Sequence, residues 1–439
     1  MLIIENVIWL LVLIGVMILI HELGHYWAAR FFDVKVDIFS FGFGPRLFGI
    51  RRGETDFRFS AILFGGYVKM AGENPGDPAA NDPRSFLAKP RWQRLIIAFA
   101  GPAMNVVLAV GLLTGLFMVR FQKPSGVDGP AVIGHVLPNT PAAQAGIRAG
   151  DRVLEFDGIK NPVWQDVVMK ELASAKKTVA ITVERRGQRI QTSITPVLDE
   201  RLGMGVAGWV EEAEIQIGAV TSGMPAEKAG LKPGDVLLSV DGTPIRSRFK
   251  LQEIIRASGG KPVTLETVRN KQRRSVVVHP QKTLIEGKEL WMIGVEPAQR
   301  FVEVRLSFPE ALKHSVSQNM KTAALIYRFL VGLVERRMSA RSLEGPIRIA
   351  QISGEAARQG LSTFIALMSM VSLNLAIFNL LPIPILDGGV ILLLLIEMLL
   401  RRDLSLPVKE AVFKLGFVFL MAVVVFVLYN DLSKILPAG

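Results

Sequence analysis

The sequence predicts a polytopic α-helical membrane protein: four transmembrane helices, one of them broken, with a membrane-associated β-hairpin loop and a duplicated α+β module. Three observations predict it. Half of the 439 residues are hydrophobic and the mean hydropathy is +0.36, although 21% are charged. The apolar residues gather into four stretches, at about 3–29, 95–119, 364–400 and 413–429. A helix needs roughly 20 residues to cross a bilayer. Between the second and third stretches lies a long polar region with an internal repeat.

The first element, 1–32, opens Met1-Leu2-Ile3-Ile4-Glu5-Asn6. It has neither a basic leader nor a small-residue cleavage site, so a retained membrane helix is expected rather than a signal peptide. Within its apolar run stands His21-Glu22-Leu23-Gly24-His25. H-E-x-x-H on a helix sets two imidazoles on one face, at the spacing that grips one Zn²⁺, with the glutamate as general base. Ionisable groups inside a membrane segment are expensive and usually functional.

The loop 33–94 carries Phe41-Gly42-Phe43-Gly44, then Phe57-Arg58-Phe59, then Gly65-Gly66-Tyr67-Val68-Lys69-Met70. Alternation and glycine pairs predict hairpins that dip toward the site, or else a small cap outside the membrane. The second membrane helix is expected over 95–120. An amphipathic helical segment is expected over 301–361, outside the bilayer core. The third span, 362–400, is interrupted at Pro382 and Pro384 and reads as broken, and 411–430 forms the last span. Irregular backbone at membrane depth survives only where protein or a wet cavity satisfies it.

The loop 30–94 is rich in Arg and Lys, and the last short loop holds Arg401, Arg402, Lys409 and Lys414. The positive-inside rule places both in the cytoplasm, with both termini and the region 120–360 on the opposite side. The formal net charge of +12 fits nucleic acid or anionic lipid. Because the basic residues flank apolar stretches, the expected partner is the lipid bilayer and not nucleic acid. There is no cysteine, which excludes disulfides and thiolate metal sites.

The middle is duplicated. Pro141-Ala142-Ala143-Gln144-Ala145-Gly146 through Gly150-Asp151 to Asp157-Gly158 recurs 84 residues later, as Pro225-Ala226-Glu227-Lys228-Ala229-Gly230 through Gly234-Asp235 to Asp241-Gly242. These copies resemble tandem PDZ domains of the bacterial protease-associated form, at 126–210 and 211–300. PDZ domains take a peptide C-terminus onto a sheet edge. Leu202-Gly203-Met204-Gly205 is a plausible carboxylate loop for the second copy, and no equally clear loop precedes the first. The copies either bind peptide or serve as spacers and gates.

Two histidines do not complete a catalytic zinc site, which usually has three protein ligands and an open position. His135, His279 and His314 lie in the region expected on the other side, so a carboxylate is required. Asp387 and Glu397 are the candidates in the third apolar stretch. Asp387 follows the proline break and precedes Gly388-Gly389, a backbone suited to aiming a side chain into a cavity. Glu397, near Arg401 and Arg402, can instead be solvated at the interface. Asp387 is the favoured ligand.

HELGH in the first helix, Asn379-x-x-Pro382-x-Pro384-x-Leu386-Asp387-Gly388, the two PDZ-like copies and Gly101-Pro102-Ala103-Met104-Asn105 together resemble the site-2 protease family of intramembrane zinc metalloproteases. The likeness is to its bacterial RseP branch, the regulators of sigma-E protease, and covers nearly the whole chain. It implies zinc bound by His21, His25 and Asp387, Glu22 as the base, and substrate held by Asn379 and the 30–94 loop. An edge strand near Gly65, Gly66, Tyr67 and Val68 would hold the unwound substrate by strand addition. Implied substrates are single-span membrane proteins, such as a trimmed anti-sigma factor or signal-peptide remnants, in a bacterial inner membrane. Val390 stands where the family often has His, a position that is not a ligand. Asn105 is expected to bond across helices as a structural residue. A catalytically inactive PDZ scaffold and a metal transporter are the rival readings. The intact Glu22 argues against the first. The single H-E-x-x-H with one distant Asp argues against the second.

Overall fold

The computed structural model describes residues 2–73, 82–119, 121–126, 129–199, 203–285, 288–335 and 344–435. It divides into two compact units. One comprises Met1–Phe121, Arg305–Tyr327 and Leu343–Gly439; the other comprises Gln122–Val304 and Arg328–Ser342.

Among the described residues of the first unit, four helices are long and apolar enough to cross a membrane: Leu2–Phe31, Arg91–Val119, Leu361–Asn379 and Leu406–Ser433. The third apolar stretch is broken as the prolines require. Helix Leu361–Asn379 ends, residues 380–386 turn, and a shorter helix Asp387–Leu400 follows. The Arg91–Val119 helix is the hub, packing against the first helix, against Leu361–Asn379 and against Asp387–Leu400. Leu13 and Met17 pack with Ala356, Phe364 and Met368 to form the interior at one end. Ala29, Val34, Phe39, Val68 and Ile97 form it at the other.

Two long strands, Val36–Arg52 and Thr55–Met70, fill the loop after the first helix. Their register makes one sheet out of bent strands. Residues 36–41 pair on one side with 66–70 and on the other with 56–59, and the far end of the first strand pairs with 55–60. Among the described residues, 66–70 are therefore paired with another strand on one side only, an edge. Phe41 reaches back to Gly15 in the first helix, where a methyl would sit 2.9 Å from its ring.

The second unit holds the two copies. In the first, Arg152–Phe156, Val179–Arg185 and Gln188–Ile194 form a sheet with the helix Trp164–Leu172 beside it, around Phe156, Ile181 and Ile194. In the second, Val236–Val240, Val263–Arg269 and Gln272–Val278 do the same with the helix Arg248–Ala257, around Leu237, Leu251 and Leu265. The structure corrects one expectation. Strand Trp209–Glu211 pairs with Ile133–Val136 of the first copy, and Val295–Gln299 pairs with Ile215–Val220 of the second. Each copy thus ends with the strand that completes it. Gly203, Met204 and Gly205 belong to the first copy, not the second; Leu202 lies outside the described residues. A methyl on Gly205 would come within 2.5 Å of the Glu171 carbonyl, so this segment packs directly on the first copy's helix.

Candidate active site

The first helix buries Leu10, Leu13, Met17, His21, Gly24 and His25. Spacings of three and four put them on one face. Two glycines let that face approach the second helix. A methyl on Gly24 would lie 2.4 Å from the Ala100 carbonyl oxygen. One on Gly101 would lie 2.3 Å from His25 Nε2 and 2.8 Å from His21 Nε2.

Asp387 reaches the same place from the break. Ile385 has φ +90°, a conformation that costs a β-branched residue strain, and such outliers gather at functional sites. Gly388 and Gly389 then fold back onto the turn, where methyls would sit 2.2 Å from the Leu381 carbonyl and 2.5 Å from that of Ile383. This sets Asp387 Oδ2 at 3.1 Å from His21 Nε2 and Oδ1 at 3.4 Å from His25 Nε2. The two Nε2 atoms are 3.2 Å apart.

The outer nitrogens define what those inner atoms are. His25 Nδ1 lies 2.8 Å from the Ile97 carbonyl, which can only accept, so Nδ1 carries the proton and Nε2 a lone pair. His21 Nδ1 lies 3.1 Å from the Asn105 amide, whose Oδ1 is buried without a partner when Nδ2 faces the ring. With that amide turned over, Oδ1 accepts from Nδ1–H, the tautomer that leaves His21 Nε2 its lone pair. Both Nε2 atoms and the carboxylate are then acceptors facing one another, and only a cation between them satisfies all three. Tetrahedral zinc, with N and O ligands at about 2.0–2.1 Å, keeps them about 3.3 Å from one another. The donor set and its spacing fit zinc.

His21, Glu22, His25 and Asp387 line a chamber of about 760 Å³ together with Gly65, Gly66, Tyr67, Val68, Met70 and Asn379. The structure thus brings together every site residue expected from sequence. Gly66 faces Glu22, whose Cγ is 3.2 Å from where a methyl on Gly66 would be. Glu397 departs from expectation. It is not solvated but 1% exposed, held by Lys409 Nζ at 2.6 Å and the Leu404 N–H at 2.9 Å, with Arg94 Nη2 at 3.9 Å. Asn105 bonds across helices as expected, and the partner it meets is the ligand candidate His21. Gly101 was visible in sequence only as part of a pattern. Their separation by four residues, one helical turn, was the available signal.

A helical membrane protein with two imidazoles and a carboxylate poised for a metal, beside a glutamate in the same chamber, belongs to the class of membrane-embedded metallohydrolases. Comparison with known proteins narrows this. The model of Peptidase family M50 matches residues 9–423. A Xylella fastidiosa (strain Temecula1 / ATCC 700964) protein whose name includes the words zinc metalloprotease is 34% identical, over 97% of this chain and 98% of its own length. The regulator of sigma E protease of Salmonella typhi is 31% identical, over 98% of this chain and 99% of its own. The chain belongs to Peptidase family M50, the site-2 proteases, and is a zinc metalloprotease.

Proposed function

We propose that the protein cuts the membrane segments of single-span proteins within the bilayer of a bacterial inner membrane, with zinc held by His21, His25 and Asp387. The observation that carries this reading is the convergence of three acceptor atoms, 3.1–3.4 Å apart, on the wall of a chamber that residues 65–68 of an edge strand also line. Zinc bound there supplies Lewis acidity and lowers the pKa of a water toward about 7. Glu22 takes the proton of the attacking water and delivers it to the leaving amine. Ile97 and Asn105 hold the two imidazoles in the tautomers that leave Nε2 free.

A membrane helix conceals its peptide bonds, so the substrate unwinds locally. Residues 66–70 receive it by strand addition, and Asn379, the last residue of its helix, contacts it near the metal ligands. Positive-inside reasoning puts the chamber at the cytoplasmic side, and the two copies, read as PDZ domains, in the periplasm with both termini. Trimmed anti-sigma factors and signal-peptide remnants are the substrates this reading favours, with peptide C-termini as possible ligands of the PDZ copies. The test is cleavage of a model single-span substrate by the purified protein, with and without a zinc chelator, beside Glu22→Gln. That variant should keep zinc and lose cleavage. Near-normal turnover by Glu22→Gln, or chelator-resistant turnover, overturns the mechanism.

A further inference from the structure

Among the described residues, the chamber holds one acid that has neither a role in the chemistry above nor an ion-pair partner. Glu73 lies three residues beyond the edge strand and lines the same chamber as Glu22. Among the described residues, the chamber's other acids are committed. Asp387 faces the two histidines, Glu397 is held by Lys409, and Glu410 lies 3.6 Å from Lys414. Among the described residues, the Glu73 carboxylate meets the Met70 N–H, 3.4 Å away, and no cation within ion-pair distance. That contact fixes it at the end of the strand.

The edge strand has a direction. Gly66 sits at the level of Ile18 and Glu22, where a methyl would meet both side chains. Met70 pairs with Val36, just beyond the C-terminal end of the first helix. A chain laid along residues 66–70 therefore runs from the metal ligands to the end of the helix, a span of about 13 Å at the usual strand rise. Glu73 stands where it leaves. The proposal that follows rests on the reading of the site as an intramembrane protease with its chamber toward the cytoplasm. Single-span proteins carry Lys and Arg just past the cytoplasmic end of their apolar stretch. We infer that Glu73 is a specificity-determining residue that pairs with a substrate Lys or Arg lying roughly three to five residues from the scissile bond, on its cytoplasmic side.

Such a pair, partly open to solvent, favours binding by about 10-fold. It is made equally with substrate and transition state, so it appears in KM. The experiment uses the full chain and a set of single-span substrates that differ only in one position, which carries Lys, Gln or Glu and is moved stepwise through the cytoplasmic flank. The expected result is a kcat/KM ratio of Lys over Gln near 10 at the matching position, carried by KM and decaying as the residue moves away. Glu73→Gln should bring that ratio to about 1, and Glu73→Lys should shift the preference to Glu. Each ratio is taken within one variant, so loss of folded protein cancels; zinc content reports folding separately. Equal cleavage of all three substrates by the unaltered protein, or a Lys preference that survives Glu73→Gln, overturns the inference and leaves the protease reading standing. Absence of cleavage of every substrate in the zinc-loaded protein overturns both.

Discussion

Buried acids occur in both units, and they are answered in different ways. In the second copy Asp235 is 1% exposed, with Arg269 Nε at 2.5 Å and Nη2 at 2.7 Å, and the Lys232 N–H at 2.9 Å. Eighty-four residues earlier, Asp151 receives Arg185 Nε and Nη2 at 2.7 Å and the Arg148 N–H at 2.8 Å. In both copies the same guanidinium also donates to a carbonyl, that of Gly146 or Gly230. Each carboxylate oxygen has a donor from the same copy. In the membrane unit, Asp387 meets two imidazole lone pairs from a helix more than 350 positions away in the sequence. An acid satisfied by its own module is architecture. An acid aimed at other acceptors is a metal site in waiting, because the fold supplies no proton or cation to hold them together.

The largest effect tests this difference directly. Asp387→Ala should lose both zinc and activity, at least about 1,000-fold in kcat/KM, since water activation depends on the complete ligand set. Glu397→Ala removes a buried acid that is already paired, and should retain zinc while lowering stability. Metal analysis of both purified variants decides the matter. Loss of zinc from Glu397→Ala with retention in Asp387→Ala would reverse the comparison.

Next come the residues that orient the rings. Asn105→Leu removes the acceptor for His21 Nδ1–H and should weaken zinc affinity about 10–100-fold, the usual range for such outer partners. Gly101→Ala should be worse, because its methyl enters the space beside both Nε2 atoms. Competition with a graded chelator reads both. Unchanged affinity in Asn105→Leu would return Asn105 to the purely structural role expected from sequence.

These residues mark the boundary of what the sequence makes legible. HELGH stands out because three polar groups at helical spacing interrupt an apolar run, and Asp387 because prolines and glycines surround it. Both signals are local. Asn105 carries no comparable local signal, since its partner is 84 positions away and a buried asparagine bonds across helices whatever its role. The Glu397 cluster joins Arg94, Asp403 and Lys409, so an acid that seemed free to reach solvent is enclosed by a helix distant in sequence. Residues 203–205, expected to serve the second copy, pair and pack within the first for the same reason. Repetition reveals that a unit recurs, but a strand at the junction of two copies can complete either, and only pairing decides.

A smaller effect separates the copies from the chamber. Burial would raise the Asp235 carboxyl, but hydrogen bonds from Arg269 and the Lys232 N–H hold it below the ordinary carboxylate value. Its contribution is therefore present above that ordinary value and lost as pH falls through the lowered one. Asp235→Asn should cost roughly 2 kcal/mol in the stability of the second copy, the scale of hydrogen bonds to a charged group. Zinc content should not change. Denaturant unfolding and metal analysis of the full chain check the two halves of that statement, and zinc loss would show that the copies are not independent of the site.

The last effect, confined to one strip of one module, distinguishes the copies themselves. Glu171, on the helix of the first, is 8% exposed; its carboxylate accepts from the Ala207 N–H at 2.6 Å and the Trp209 indole N–H at 2.8 Å. Eighty-four residues on, the second copy has Ile255, 4% exposed in an apolar core. Burial pushes the Glu171 carboxyl up from 4.5 to about 7, against the pull of those two donors. Between those two pH values the folded state holds more protons than the unfolded one. The stabilisation is complete below the ordinary value and is lost as pH rises through about 7, with little change beyond. Its size is about 3 kcal/mol at most, by the conversion of 1.36 kcal/mol for each tenfold change in acidity. Hydrogen exchange on the full chain should show residues 204–211 losing protection, relative to 290–297, between pH 5 and 8. The second copy serves as the reference, because its intrinsic exchange changes with pH in the same way. Glu171→Gln keeps the shape of the side chain and removes its titration, so the relative slope should vanish even though one N–H loses its acceptor. A slope that persists in Glu171→Gln would assign the pH response to some other group, and parallel behaviour of the two segments in the unaltered protein would mean that Glu171 stays ionised in its pocket, as firmly answered by its donors as Asp235 is by Arg269.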